Sequence, residues 1–67
     1  MPFVTVKVLE GLLDQDEKER LVTAITDAVT TIKGQEIRPH TWVAIEEFRN
    51  GSWGIGGEIL KPKAQQS

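Results

Sequence analysis

The sequence contains no cysteine and one histidine, His40. Disulfide stapling is therefore excluded, and no metal-ligand spacing of any kind is present. Tyrosine is absent too, and two tryptophans and two phenylalanines are the only aromatic residues. No apolar run approaches the roughly eighteen residues of a membrane-spanning helix, and no basic segment leads into an apolar core of the kind that directs export. The net charge is −2 with both signs interspersed, so there is no basic patch to neutralise phosphates and nucleic acid is not an expected partner. These absences leave a soluble, cytoplasmic protein as the expectation. Its 67 residues make one domain, 1–67, and a chain of this size buries only about 60% of the surface its unfolded form exposes. With cross-links and metals gone, oligomerisation is the remaining way to complete a core.

What is present begins at Pro2, directly after Met1. A small second residue permits removal of the initiator methionine, and Pro2 would then be a free secondary amine, a base that no internal proline can be. The alternative is purely structural, because a strand tolerates proline at its first position without losing a ladder hydrogen bond. From Phe3 to Leu9 the chain alternates, with Val4, Val6 and Val8 on one face and Phe3, Thr5, Lys7 and Leu9 on the other. Both faces are largely apolar, so the second is expected to meet another subunit.

After Gly11, Asp14 and Glu17 have the spacing of a helix-initiating capping box. Leu21, Ile25, Ala28, Val29 and Ile32 then form one apolar helical stripe, and Lys18, Glu19, Thr23, Thr26, Asp27 and Thr30 form the solvated face. Asp16 and Arg20 are spaced for an i,i+4 pair, and Gly34 stops the helix. Gln35 to Pro39 reads as a connector in which Arg38, preceding a proline, is extended. Thr41 to Phe48 reads as a second strand, parallel to the first because a helix connects them. Asn50-Gly51 is the strongest turn signal. Trp53 to Leu60 closes the ordered part, and residues 61–67 are a polar tail expected to fray. The glycines at 54, 56 and 57 lack the spacing and lysine of a phosphate-binding loop; they are expected to let the hairpin backbone approach another subunit closely.

Pro2 opening an apolar strand, Leu9-Glu10-Gly11 at its end, one amphipathic helix and the segment Trp53-Gly54-Ile55-Gly56-Gly57-Glu58 together resemble the 4-oxalocrotonate tautomerase family over about residues 2 to 60. The resemblance implies an α/β fold, a single βαβ unit with a short C-terminal β-hairpin, assembled as a hexamer built from three dimers. It implies a cofactor-independent tautomerase in which the processed Pro2 moves a proton between oxygen and carbon of a small enol or dienol acid. Phe3, Leu9, Trp53 and Ile55 could supply apolar surroundings that favour the neutral amine.

The resemblance also implies substrate-binding arginines after the first strand's glycine and in the second strand. Leu12 and Trp42 stand there instead, and neither can bind a carboxylate, which points to a smaller or less charged substrate. Pro2 is thus assigned as catalytic, and Trp53, Trp42, Leu12 and Arg38 as lining the substrate site. Arg49 and Lys7 are further cations that could replace the arginines, each read as a surface charge by default. His40 has no orienting carboxylate and reads as a strand-edge polar residue. The competing function is a non-catalytic subunit that supplies pocket walls within a hetero-hexamer. Hydration or dehalogenation would need Glu46, Glu47 or Glu58 to activate water, and nothing in their spacing favours it.

Overall fold

The computed structural model describes residues 1–60; the expected polar tail at 61–67 lies outside the described residues. The first strand, β1 (Phe3–Leu9), leads through the Gly11 turn to a 19-residue helix, α1 (Gln15–Lys33). A short 3-10 helix (Gln35–His40) follows, then β2 (Trp42–Phe48) and a two-stranded hairpin, β3 (Gly54–Ile55) and β4 (Glu58–Ile59). β1 and β2 pair in parallel, from Phe3 opposite Trp42 to Leu9 opposite Phe48.

Each element starts and stops for a local reason. The Asp14 carboxylate accepts the Glu17 N–H at 2.8 Å and Glu17 accepts the Asp14 N–H at 2.9 Å, so the capping box is complete. Arg20 reaches Asp16 at 3.0 Å. Gly34, at φ +102°, ends α1 and donates its N–H to Thr30 O at 2.7 Å. At Arg49–Ser52 the chain turns, with Ser52 N–H on Arg49 O at 3.0 Å and Gly51 at φ +88°. Gly56 and Gly57, at φ +59° and +87°, occupy the left-handed positions of a tight hairpin turn. Gly54 has a different constraint, since a Cβ there would sit 3.3 Å from the Glu58 carbonyl oxygen. The hairpin's own geometry thus favours residues that accept a positive φ at 56 and 57 and a small residue at 54.

Two expectations need correction. Arg38 is not extended: it lies inside the 3-10 helix, held by Thr41 N–H on Arg38 O at 3.2 Å and by Thr41 Oγ1 on Ile37 O at 2.8 Å. Those bonds close the turn around Pro39 and outweigh the pre-proline preference. The buried stripe of α1 is also rotated. Leu21, Val22, Ile25, Thr26 and Val29 are half-buried, and Thr30 is buried at 4% exposure, whereas Ala28 is exposed and Ile32 is 83% exposed. Thr26 and Thr30 are tolerated inside because their hydroxyls donate to the helix carbonyls of Val22 and Asp27 at 2.8 and 3.0 Å, which leaves no unsatisfied hydroxyl against the sheet.

Val4, Val6 and Val8 face this helix together with their register partners Val43, Ile45 and Glu47, because paired residues of a parallel ladder share a face. Lys18 of α1 closes that layer at one end through a 3.0 Å ion pair to Glu47. The opposite sheet face carries Phe3, Thr5, Lys7 and Leu9 beside Trp42, Ala44, Glu46 and Phe48, and α1 does not cover it. The result is a thin core. Among the described residues only Val8 and Thr30 count as buried, while Phe3, Leu12, Ile32, Trp42, Ile55 and Ile59 are each at least 55% exposed. Covering a large apolar side chain stabilises by about 1.5–3 kcal/mol, so the open face holds stabilisation that a single chain does not realise. No helix among the described residues is long and apolar enough to cross a membrane.

Candidate active site

Pro2 lies just ahead of β1 and is half-buried. Its carbonyl accepts the Trp42 N–H at 2.9 Å, which extends the parallel ladder by one bond beyond Phe3. The proline nitrogen has no part in that ladder, and Met1, attached to it, is 79% exposed. Beside Pro2, Phe3 and Trp42 meet edge to face, with ring centroids 5.6 Å apart and planes at 61°. The residues remain 63% and 55% exposed, so they form an apolar wall rather than core. Arg38 precedes this strand end, yet its guanidinium is held by Asp27 of α1 at 2.7 Å. For Arg38 to bind a carboxylate, that pair would have to open. His40, the last residue of the 3-10 helix, is exposed.

The other end of the sheet is built from the two chain reversals. Glu10 N–H donates to Phe48 O at 2.8 Å and Leu12 N–H to Leu9 O at 3.2 Å, around Gly11 at φ +84°. This leaves Leu12 64% exposed. The Glu10 carboxylate accepts the Asn50 N–H at 3.1 Å and so ties the end of β1 to the following turn. The Asn50 side-chain oxygen is buried there without a partner among the described residues. Trp53 folds back so that its ring meets Phe48 edge to face, 5.4 Å between centroids and 83° between planes. Lys7, Phe48, Ser52, Trp53 and Gly54 line an open hollow of about 300 Å³ at this end, the lower limit of ligand-sized pockets. A larger hollow of about 450 Å³ lies on the solvent side of α1 among Asp16, Glu19, Arg20, Thr23, Ala24 and Asp27. Of its three carboxylates, Asp16 and Asp27 are already paired with Arg20 and Arg38, and no aromatic residue lines it.

The two ends do not meet. Pro2 and Leu9 are separated by the length of β1, about 23 Å at roughly 3.3 Å per residue. Pro2 and Trp42 therefore form one half of the expected site, and Leu12 and Trp53 lie in the other half at the far end of the same sheet. Sequence alone groups these residues in one pocket without separating what one chain can supply from what two can. It also misses Phe3 as partner of Trp42, and Phe48 as partner of Trp53. Both pairings depend on the β1–β2 register and on the hairpin's return, which alternation within a single strand does not specify.

A parallel βαβ unit with a two-stranded C-terminal hairpin and a proline at the head of its first strand defines a small tautomerase-type α/β protein. The family model described as tautomerase enzyme matches residues 2–63. A 2-hydroxymuconate tautomerase of Bacillus subtilis strain 168 is 40% identical over 60 residues, covering 90% of this chain and 94% of that protein. Among solved structures, YwhB, a homologue of 4-oxalocrotonate tautomerase, superposes with a TM-score of 0.77 at 36% identity over 87% of this chain and 92% of that one. TomN, a 4-oxalocrotonate tautomerase homologue in the tomaymycin biosynthetic pathway, superposes with a TM-score of 0.78 at 29% identity, covering 87% of this chain and 86% of that one. The chain belongs to the 4-oxalocrotonate tautomerase family, and the activity that this membership supports is that of a tautomerase-type isomerase.

Proposed function

We propose that the protein is a cofactor-independent tautomerase in which Pro2, freed by removal of Met1, is the general base for enol–keto proton transfer in a small enol or dienol acid. The observation that carries this reading is the placement of Pro2: its carbonyl is fixed by Trp42 at 2.9 Å while its nitrogen stands outside the ladder, capped only by an exposed methionine. With Met1 removed, the pyrrolidine nitrogen takes the proton of the enol hydroxyl as the C–O bond gains carbonyl character. The same proton is then delivered from the pyrrolidinium to carbon, so the reaction is an isomerisation with no net loss or gain. An α-amino group has a reference pKa of about 8, and apolar surroundings favour its neutral form, the form a base needs near neutral pH. Phe3 and Trp42 supply such surroundings from the same chain.

A complete pocket in this reading needs two copies, because Leu12 and Trp53 lie at the opposite end of the sheet from Pro2. The open sheet face with its exposed Phe3 and Trp42, and the exposed Ile55 and Ile59 of the hairpin, support assembly of copies, in the hexamer that the family resemblance implies. Leu12, Trp42 and Trp53 then act as apolar walls. Purified protein shown by mass spectrometry to begin at Pro2 is expected to ketonise phenylenolpyruvate or 2-hydroxymuconate, and Pro2→Ala to lose most of that rate. Equal rates in the two proteins would overturn the assignment.

A further inference from the structure

We propose that Lys7 is the carboxylate anchor of the substrate site, a specificity-determining residue that binds one carboxylate of a flat, unsaturated acid lying against Trp53. The inference rests on the proposed tautomerase reading for the identity of the site, but its physical basis is separate. An enol acid is an anion at neutral pH, and with Leu12 and Trp42 in its walls the pocket needs a cation from elsewhere. The cations of residues 1–60 are not equivalent. Lys18, Arg20 and Arg38 are each held by a carboxylate, Glu47, Asp16 and Asp27 respectively, at 3.0, 3.0 and 2.7 Å. Lys33 ends α1, and Arg49 lies in the turn after β2 and is not among the residues that line the hollow. Lys7 makes no ion pair with a described residue and is the only charged side chain lining the cavity formed with Phe48, Ser52, Trp53 and Gly54.

The arrangement fits a planar monocarboxylate. Trp53 and Phe48 provide an apolar surface, Ser52 a hydroxyl, and Lys7 a point charge on a flexible stem that can follow ligands of different length. One group opposes the assignment. Glu46 is the register partner of Lys7 on the same sheet face, close enough across the ladder to compete for its ammonium group. Glu46 therefore weakens anion binding, and its neutralisation strengthens it.

The test separates binding from chemistry. In a Trp42→Phe background Trp53 is the sole tryptophan, and its fluorescence reports ligands in the cavity. Sorbate, a flat dienoate, is expected to quench it with at least tenfold higher affinity than the neutral isostere sorbamide. The preference rests on the hydrogen bond between the ammonium and the carboxylate, which is stronger than one between neutral groups, so Lys7→Met should abolish it. Lys7→Arg should retain it and show that the fold is intact, and Glu46→Gln should increase it. For turnover, Lys7→Met should raise KM for phenylenolpyruvate tenfold or more with kcat changed by less than threefold. An unchanged sorbate-to-sorbamide ratio in Lys7→Met overturns the role of Lys7, whether or not the protein is active. A lost ratio in a protein that ketonises no enol acid upholds Lys7 and overturns the tautomerase reading instead.

Discussion

The backbone N–H of Trp42 donates to the carbonyl of Pro2 at 2.9 Å, one ladder step before the pair Phe3–Trp42. Through this single bond Pro2, the proposed base, is held by the residue whose ring packs on Phe3. The bond uses only backbone atoms, so it is available to any residue at 42 except proline, which has no N–H to donate. Substitutions there thus alter the wall of the site without moving the proline, and the two contributions can be measured apart.

Blocking the amine of Pro2 should abolish turnover without disturbing the fold. A variant that retains an uncleaved Gly-Ser N-terminal to Pro2 converts the amine into an amide, which has no basic lone pair. Loss of at least a thousandfold in kcat/KM is expected, with an unchanged circular dichroism spectrum and unchanged size in solution. Because the base must be unprotonated, kcat/KM of the processed protein should fall tenfold per pH unit below the amine's pKa and level off above it. The pH–rate profile of the processed protein checks the second half of this prediction.

The open face predicts dependence on concentration. Phe3 and Trp42 on the open sheet face, in edge-to-face contact with each other, and Ile55 and Ile59 of the hairpin are each more than half exposed in one chain, and exposed apolar side chains in contact are the kind of surface that marks an interface. Phe3→Asp should reduce the molecular mass measured by sedimentation equilibrium. The Tm of the natural protein should rise with protein concentration, as linkage to assembly requires. A Tm independent of concentration over two decades, with a monomeric mass throughout, would show that the face stays open.

The capping box makes a prediction about the chain alone. Asp14 and Glu17 exchange hydrogen bonds of 2.8 and 2.9 Å, and removing an N-cap side chain costs about 0.5–2 kcal/mol. Asp14→Ala should therefore lower the midpoint of urea unfolding, and Asp14→Ser should recover most of the loss. Ala28→Gln, on the exposed side of α1, should change stability by less than about 0.5 kcal/mol.

These positions also show where the sequence was readable. Asp14, Glu17 and Gly34 act through neighbours three or four residues away, and the turn at Asn50-Gly51 closes through the bond from Ser52 to Arg49, so these roles follow from spacing alone; the bond from Asn50 to Glu10, forty residues away, does not. The alternation of β1 was equally legible, since Val4, Val6 and Val8 do face the helix. Thr30 was not: a hydroxyl counts as polar in any pattern, and only the helix's own carbonyls, which satisfy it, make it a core residue. Arg38 escaped for a similar reason, because its ion pair with Asp27 spans eleven residues and no periodicity encodes that contact. The arrangement of the proposed site was the least legible part. Pro2, Trp42, Leu12 and Trp53 can each be picked out along the chain as candidates, but their division between two ends of one sheet follows from the parallel register.

The hairpin glycines test how far Trp53 depends on local backbone geometry. Gly56 and Gly57 both have positive φ, and the favoured tight turn of this kind takes asparagine at the first position and glycine at the second. Gly56→Asn should therefore be tolerated or raise stability by a few tenths of a kcal/mol, since it also restricts the unfolded chain. Gly57→Val places a β-branched residue at φ +87° and should cost about 1–3 kcal/mol of local strain. The hairpin is short, and Leu60 N–H on Trp53 O at 2.6 Å is the bond that closes it against the Phe48 ring. Strain at Gly57 should then release Trp53 before it unfolds the sheet. The expected signature is increased acrylamide quenching of Trp53 in a Trp42→Phe background, with helix content by circular dichroism unchanged. Quenching equal to that of the parent protein would mean that Phe48 holds Trp53 without the hairpin.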